Sequence, residues 1–234
     1  MIAVLSDIHA NLEALEAVLR DIDQYPIITV YCLGDTVGYG PNPCECLDLA
    51  MRFDVVLLGN CDQDIFFDQA NVSDRDRRSL FWSRDQIENA TDPNAVNRRE
   101  YLAELPRIHR EEETLYVHGS PRNPLNEYVF PEDIYNQRKM ERIFQFVDKY
   151  CFNGHTHIPG VITEDMTFVA PEEDDFRFVL DHRKTIVNVG SVGQPRDLDR
   201  RACYVIADDQ EILFRRVRYD WNKTIRKIHE IDGE

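Results

Sequence analysis

Five short polar motifs in the sequence carry residue types that bind metal ions. They are Asp7-Ile8-His9, Gly34-Asp35, Gly59-Asn60-Cys61-Asp62, His118-Gly119 and Gly154-His155-Thr156-His157. Carboxylate, imidazole and amide side chains are common metal ligands, but one such motif arises easily by chance. A single Asp-x-His pair would therefore mean little, whereas five motifs at related positions can form one site.

The motifs have related positions because each directly follows an apolar, strand-like run. The five runs are residues 3–5, 30–33, 55–58, 115–117 and 150–152. Sites in sheet-based α/β proteins form at the carboxyl ends of strands. In extended backbone, residues i and i+2 project to the same side, so Asp7 and His9 are expected to face one cavity, as are His155 and His157. The sequence therefore predicts that the five motifs converge.

The first half of the chain alternates strand-like and helix-like segments. Strands are expected at 2–5, 27–33 and 55–58, and helices from Leu12 behind an Asn11 cap and from Pro43. Residues 62 to about 105 are expected to be helical, with a restart at Asp92-Pro93. The aromatic residues of that region are expected in the core; they are Phe66, Phe67, Phe81 and Trp82.

The second half is richer in strand-like segments. Strands are expected at 114–117, 150–153, 161–163, 176–180, 185–189, 202–207 and 212–217, and helices at 132–149 and from Asp220 onward. Alternation followed by hairpins predicts an α/β fold of the α+β type, a four-layer sandwich of two mixed β-sheets flanked by helices. No linker or repeat interrupts residues 1–234, so one domain is expected.

Composition limits the class of partner. The chain has 43% hydrophobic and 30% charged residues and a formal net charge of −16, with a sequence pI near 4.8. Non-specific nucleic-acid binding depends on clustered Lys and Arg, so this balance argues against it. No apolar run is long enough to span a membrane, and the protein is not expected to bind a membrane. The N-terminus lacks the basic region of a signal peptide, which favours a cytoplasmic location.

The ordered motifs resemble the calcineurin-like metallophosphoesterase superfamily. Two more stretches, 118–122 (HGSPR) and 188–196 (NVGSVGQPR), resemble its small bacterial and archaeal phosphodiesterase branch. The resemblance implies a phosphoric ester hydrolase with two divalent transition metal ions. It implies that one metal is held by Asp7, His9 and His157, the other by Asn60, His118 and His155, and that Asp35 bridges them.

The implied donor set suits Mn, Fe, Zn, Co or Ni, with Mn favoured. Two metals about 3.5–4 Å apart can bind phosphoryl oxygens and lower the pKa of a bridging water, whose hydroxide attacks in line. Two divalent ions outweigh two carboxylates, so the site can attract a small phosphorylated substrate. The implied catalytic residues are Asp35, Asn60, Asp62 and His118, of which Asp62 is expected to orient a ligand.

Two arginines in loops after strands are candidates for substrate binding. The guanidinium groups of Arg122 and Arg196 match phosphate oxygens well. Alternatively, they pair with nearby acids such as Glu127 or Asp197. Both alternatives stay open from the sequence.

One position departs from the family pattern. Many members have His after Gly-Asn, thought to act as general acid, and this chain has Cys61. A thiol is a weak hydrogen-bond donor, so Cys61 is interpreted as packing or loop support. Hydrolases of the metallo-β-lactamase type would have the pattern His-x-His-x-Asp-His. Here Ile158-Pro159 follows His155-Thr156-His157, so this class is rejected.

The favoured substrates are phosphodiesters or nucleotide-like compounds. The alternatives are a phosphomonoesterase, acting on proteins or small molecules, and a dinucleoside polyphosphate hydrolase. A metal-binding regulator without catalysis is a further alternative, but such a chain would typically lack ligands, and all seven positions are filled here.

Overall fold

Two mixed β-sheets lie at the centre of the molecule. The computed structural model describes residues 1–67 and 74–232. Its strands are β1 (Ile2–Leu5), β2 (Thr29–Cys32), β3 (Val55–Val56), β4 (Ile108–Glu111), β5 (Thr114–Val117), β6 (Tyr150–Asn153), β7 (Gly160–Thr163), β8 (Phe168–Val169), β9 (Arg177–Val179), β10 (Thr185–Asn188), β11 (Ala202–Ala207) and β12 (Glu211–Val217). The sheet orders are β3-β2-β1-β11-β12-β9 and β4-β5-β6-β10-β7-β8.

The helices cover both outer faces of the sheets. They are α1 (Leu12–Ile22), α2 (Pro43–Ala50), α3 (Asn60–Asp64), α4 (Asp74–Glu88), α5 (Ala95–Glu104), α6 (Gln137–Phe144) and α7 (Trp221–Asp232), with short 3₁₀ turns at Pro131–Tyr135 and Pro171–Asp174. As predicted, the Asn11 side chain caps α1 by accepting a hydrogen bond from the Ala14 amide, and Pro43 begins α2.

Three apolar layers hold the four structural layers together. Leu15 and Val18 of α1 pack on Leu5 and Cys32 of the first sheet. Residues of both sheets, such as Val4 and Phe152, fill the space between the sheets. Residues of α6 pack on the outer face of the second sheet. The predicted class, a sandwich of two mixed sheets flanked by helices, is confirmed.

The strand directions decide where the loops meet. Strands β1, β2 and β3 are parallel neighbours, and so are β5 and β6. These are the strands before the five polar motifs. Parallel neighbours end at the same edge, so the motif loops of each sheet are brought together by topology.

Several predicted elements differ from the structure. The predicted helix 132–149 is wrong as one element, because Asn136 ends a 3₁₀ turn and caps α6, which stops at Phe144. Strands β4 and β8 were not predicted: β4 is a polar edge strand, joined to β5 by a two-residue turn at Glu112 and Glu113. Part of the predicted 62–105 helical region, residues 68–73, lies outside the described residues.

The aromatic residues expected in the core of that region are mostly at the surface. Phe66, Phe67 and Phe81 are exposed, and Trp82 is half-buried. For Phe81 and Trp82 the physical reason is the charged composition of α4, which offers too narrow an apolar face to bury every ring. Phe66 and Phe67 follow the end of α3 at Asp64 and belong to no helix.

Candidate metal centre

The seven candidate ligands come together at the edge where the motif loops meet. Six of them are buried and Asn60 is half-buried. Among the described residues, three groups of metal-binding side chains each offer atoms that all lie within 4.8 Å of one another. Two consist of candidate ligands, Asp7 with His9 and His157 and Asp35 with His118 and His155, and the third joins His9 and Asp35 to Cys61. The predicted partition of the ligands is therefore compatible with the geometry.

The first group contains electron-rich atoms that face each other. Nδ1 of His157 donates to the carbonyl of Gln194 at 2.5 Å, which leaves Nε2 as the nitrogen with a lone pair. This Nε2 lies 3.2 Å from Nε2 of His9 and 3.2 Å from Oδ1 of Asp7. That Oδ1 is buried and accepts no hydrogen bond. Such atoms repel one another unless a cation lies between them, so this group fits a metal ion.

The second group has the same character. Nδ1 of His118 lies 3.1 Å from the carbonyl of Leu33 and donates to it, so its Nε2 is the nitrogen that can bind a metal once its proton is lost. This atom lies 3.1 Å from Nδ1 of His155 and 3.1 Å from Oδ1 of Asn60. Imidazole, carboxylate and amide donors together suit transition metals better than Ca²⁺. This group fits a second metal ion.

Asp35 lies between the two groups. Its Oδ2 is 3.7 Å from Nε2 of His9 and 3.5 Å from Nε2 of His118. Its Oδ1 accepts a hydrogen bond from the amide of Cys61 at 2.8 Å, which fixes the carboxylate orientation. One carboxylate oxygen therefore reaches ligands of both groups.

Electrostatics keep both carboxylates ionised. Burial alone would raise the pKa of Asp7, but the neighbouring imidazoles, His157 first, hold it well below its usual range. Burial also opposes ionisation of Asp35, yet His118 and His9 lower the pKa of that carboxyl. The two carboxylates thus carry full charge for a cation near neutral pH.

The imidazoles divide into neutral and charged groups. Burial lowers the pKa of His9 to about 4 and of His155 to about 4. Burial also works against the charged form of His118, but the charge and hydrogen bond of Asp35 raise its pKa to about 9. A metal-binding nitrogen must lose its proton, so metal binding has to displace a proton from His118.

The backbone around the ligands is not extended, which corrects the i, i+2 reasoning. Asp7, His9, His155 and His157 have φ values of 55°, 47°, 68° and 61°. Asp35 has a φ of 53°. The side chains reach the site from left-handed turns after the strands, a conformation that costs about 1–3 kcal/mol for each such residue. Strain of this kind concentrates at functional sites, because other contacts must hold it in place.

Two glycines allow the loops to approach closely. A Cβ at Gly59 would overlap the backbone nitrogen and Oδ1 of Asp35, and a Cβ at Gly154 would overlap Oγ of Ser6. The glycines of the motifs therefore serve close packing between ligand loops. Neither of these two has a left-handed φ.

Asp62 connects two ligand loops without facing the metal groups. Its Oδ1 accepts from the amide of Val37 at 3.1 Å and its Oδ2 accepts from the amide of Gly59 at 3.0 Å. Burial, with the charge of Asp35, raises the pKa of Asp62 to about 7. This geometry is that of a positioning residue, in line with the expectation that Asp62 orients a ligand.

The 188–196 stretch supports the ligand loops from the other side. The side-chain Nδ2 of Asn188 donates to the carbonyl of Gly154 at 2.7 Å and to Oγ1 of Thr156 at 2.9 Å. The Ser191 hydroxyl donates to the carbonyl of Asp7 at 2.9 Å. The sequence singled out this stretch, but it did not identify Asn188 and Ser191 as supports.

The two candidate arginines have different surroundings. Arg122 forms an ion pair with Glu127, one of the alternatives left open above. The guanidinium of Arg196 donates to Oε1 of Gln194 at 2.7 Å. The backbone amide of Arg196 donates to the carbonyl of His157 at 3.4 Å, so this arginine lies next to a candidate ligand.

Two tyrosines that sequence reasoning missed flank the imidazoles. Tyr39 packs edge-on against His9, with ring centroids 4.9 Å apart. Tyr128 stacks on His155 at 3.8 Å and 13°. Neither belongs to a metal-binding motif, so no pattern could have identified them.

Cys61 is a buried residue in the loop of Asn60. Burial and the charge of Asp35 raise the pKa of its thiol well above the usual range. Its Sγ lies 3.6 Å from the side-chain Nδ2 of Asn60. A neutral thiol in this position supports the loop and is a poor proton donor.

Comparison with known proteins decides the family. The family model of the calcineurin-like phosphoesterase superfamily domain matches residues 1–211. The chain belongs to the calcineurin-like phosphoesterase superfamily. An uncharacterized protein of Methanocaldococcus jannaschii is 35% identical over 239 aligned positions, which cover 97% of this chain and 91% of the relative.

Solved structures agree with the family. A metallophosphoesterase from Sphaerobacter thermophilus superposes with a TM-score of 0.83 at 35% identity, covering 99% of this chain and 94% of that one. A hypothetical protein from Pyrococcus horikoshii has the same fold, with a TM-score of 0.73 at 23% identity and coverage of 100% and 94%. This calcineurin-like phosphoesterase is a phosphoester hydrolase, and its family uses divalent metal ions and acts on small phosphorylated substrates. None of the helices described in residues 1–67 and 74–232 is long and apolar enough to cross a membrane.

Proposed function

We propose that the protein is a dinuclear phosphoesterase that hydrolyses phosphodiesters or nucleotide-like compounds. The observation that carries the proposal is Oδ2 of Asp35, which lies 3.7 Å from Nε2 of His9 and 3.5 Å from Nε2 of His118. Asp7, His9 and His157 would hold one metal, and Asn60, His118 and His155 the other. Mn²⁺ is the favoured metal.

Bound divalent metals would supply Lewis acidity towards phosphoryl oxygens and a water of lowered pKa. The chain's own residues would do the rest. Asp62 fixes the loops of Asp35 and Asn60 through two backbone amides. Arg196 would bind a phosphate oxygen, because its backbone amide donates to the carbonyl of His157 at 3.4 Å, which places this arginine next to a candidate ligand.

The surroundings of Cys61 favour substrates with good leaving groups. In many family members a His follows the Gly-Asn, and a positioned general acid contributes about 10²–10⁴-fold to rate. The raised pKa of the buried Cys61 thiol makes it unsuited to that role. Activated diesters and phosphoanhydrides should therefore react faster than alkyl monoesters.

Metal analysis of Asp35→Asn tests the dinuclear proposal. The wild-type protein should bind close to two Mn²⁺ and hydrolyse bis(p-nitrophenyl) phosphate, and the variant should lose most of both, because one carboxylate serves both metals. Asp54→Asn is a matched control: it removes the same charge from an exposed carboxylate that accepts a hydrogen bond from the Val30 amide. Unchanged metal content and turnover in Asp35→Asn would refute the proposal.

A substrate panel on the Mn-loaded protein tests the substrate class. It includes phosphodiesters, mononucleotides, dinucleoside polyphosphates and phosphopeptides. Preference for a phosphopeptide or another monoester would establish the phosphomonoesterase alternative. Preference for a dinucleoside polyphosphate would establish the dinucleoside polyphosphate hydrolase alternative.

A further inference from the structure

Three parallel aromatic rings run from the metal centre to the surface. His155 is buried, Tyr128 stacks on it at 3.8 Å, and Phe130 stacks on Tyr128 at 5.3 Å, with 13° between the planes in each pair. Tyr128 and Phe130 are 40% and 38% exposed. These two exposed rings are called the aromatic shelf. Its inner end contacts a candidate metal ligand and its outer end faces solvent.

The aromatic shelf is held in a fixed conformation by polar contacts. Nζ of Lys139 donates to the carbonyl of Tyr128 at 2.8 Å, and Oδ2 of Asp133 accepts from the amide of Phe130 at 2.8 Å. Earlier in the same loop, the Glu127 carboxylate accepts hydrogen bonds from Ser120 and Arg122. The exposure of the two rings is therefore built into the loop and does not arise from fraying.

We propose that the aromatic shelf binds a planar aromatic group, of the nucleobase class, carried by the substrate. Nucleobases stack on exposed aromatic side chains, and each such contact adds appreciably to affinity. The shelf begins beside His155, so a phosphate at the metal centre and a base on the shelf can belong to one substrate. This inference rests on the proposed function for the phosphate half of the substrate. It makes Phe130 the specificity-determining residue, because the faces of the Tyr128 ring are covered by His155 and Phe130.

A purely structural role would give a different pattern. If the stack served only to orient His155, Tyr128 would carry that role, and Phe130 would matter little, because it lies one ring further out. Phe130 is therefore the informative position. Phe130→Leu keeps an apolar side chain and removes the ring. Phe146→Leu is the matched control, since Phe146 is an exposed ring that precedes the amino end of β6, away from the ligand loops.

Binding of adenosine and of ribose to the Mn-loaded protein, measured by calorimetry, tests the shelf without any hydrolysis. Adenosine should bind wild type at least about 5-fold more tightly than ribose. The preference should fall below about 2-fold in Phe130→Leu and persist in Phe146→Leu. Equal affinities in wild type, no detectable adenosine binding, or a preference that survives Phe130→Leu would overturn the inference.

A kinetic split separates this inference from the proposed function. The p-nitrophenyl esters of thymidine 5′-phosphate and of methyl phosphate release the same leaving group and differ in the nucleoside. Phe130→Leu should raise KM for the nucleoside diester about 5- to 10-fold and leave kcat for that diester unchanged. For the methyl diester, both KM and kcat should be unchanged. If neither diester is hydrolysed but the adenosine preference holds, the proposed function fails and the shelf stands. If both are hydrolysed and Phe130→Leu changes nothing, only the shelf fails.

Discussion

Replacement of Asp62 by Asn separates the positioning of ligands from their chemistry. Asp62 accepts one backbone amide on each carboxylate oxygen, from Val37 at 3.1 Å and from Gly59 at 3.0 Å. Asn has one oxygen and one NH₂ group, so it can accept only one of these bonds. The other amide would face a donor inside a fully buried site.

The expected cost follows from that count. One buried amide without an acceptor costs about 1–3 kcal/mol. Asn also removes a buried charge that burial and Asp35 already disfavour, as the raised pKa of Asp62 shows, and this relief opposes the cost in the metal-free protein above pH 7. Metal affinity is therefore the informative quantity. The two amides lie in the loops of Asp35 and Asn60, so their displacement should also weaken metal binding, by about 10- to 100-fold for a residue that supports ligands. The assay is Mn²⁺ titration of wild type and Asp62→Asn at pH 8.5, above the pKa of about 7.

A second aspartate provides the control. Oδ1 of Asp208 accepts from the amides of Gln210 and Glu211 at 2.9 and 3.0 Å. Both bonds end on one oxygen, which Asn retains, so Asp208→Asn should bind Mn²⁺ with wild-type affinity. If Asp62→Asn binds Mn²⁺ as tightly as this control, the positioning role of Asp62 is refuted.

Three further changes have distinct expected outcomes. Arg196→Ala should lower kcat/KM for phosphodiesters about 10- to 100-fold, because a charge-assisted hydrogen bond to the substrate is lost. Arg122→Ala should stay within about 3-fold of wild type, because the Arg122 side chain is already in an ion pair. Equal kinetics for the two variants would contradict this assignment. Cys61→Ala should leave kcat/KM for p-nitrophenyl diesters within about 3-fold, and a loss of about 100-fold would instead give the thiol a chemical role. Asp21→Asn should cost about 2 kcal/mol at pH 7, because Arg215 donates two hydrogen bonds to this carboxylate. The pKa of Asp21 is lowered in the fold despite the opposing effect of burial, so its stabilisation is present above the ordinary value of 3.8 and is lost as pH falls through the lower value. Urea denaturation should therefore find a gap between wild type and Asp21→Asn that shrinks in acid, and a constant gap would contradict the sign.

The sequence determined which candidate residues lie together in the fold. The five motifs follow strands β1, β2, β3, β5 and β6, and all seven candidate ligands lie at the edge where the loops after these strands meet. This worked because a strand and the polar turn after it are local features, readable from apolar runs and flanking glycine. The sandwich class followed from the same pattern of alternation and hairpins. The roles of the seven ligands, and one domain over residues 1–234, stay predictions.

Only the tertiary structure decided how the ligands are presented. The left-handed backbone at Asp7 and His155 is held by contacts between distant segments, such as the bond from the His155 amide to Oδ2 of Asp7 at 3.0 Å. No local pattern specifies these conformations, because isolated residues of these types disfavour them. The polar strand β4 was missed for a similar reason: its pairing with β5 stabilises it, and its composition does not.

The same distinction applies to the substrate side of the site. The pairing of Arg122 with Glu127 and the stacking of Tyr128 on His155 depend on side-chain contacts across a loop. Asn188 reaches Thr156 from a strand 32 positions further along the chain. The candidate metal ligands can be recognised by their residue types and by their positions after strands, and both are local features of the sequence. Their supports and the aromatic shelf depend on which surfaces meet when the two sheets pack, and only folding determines that.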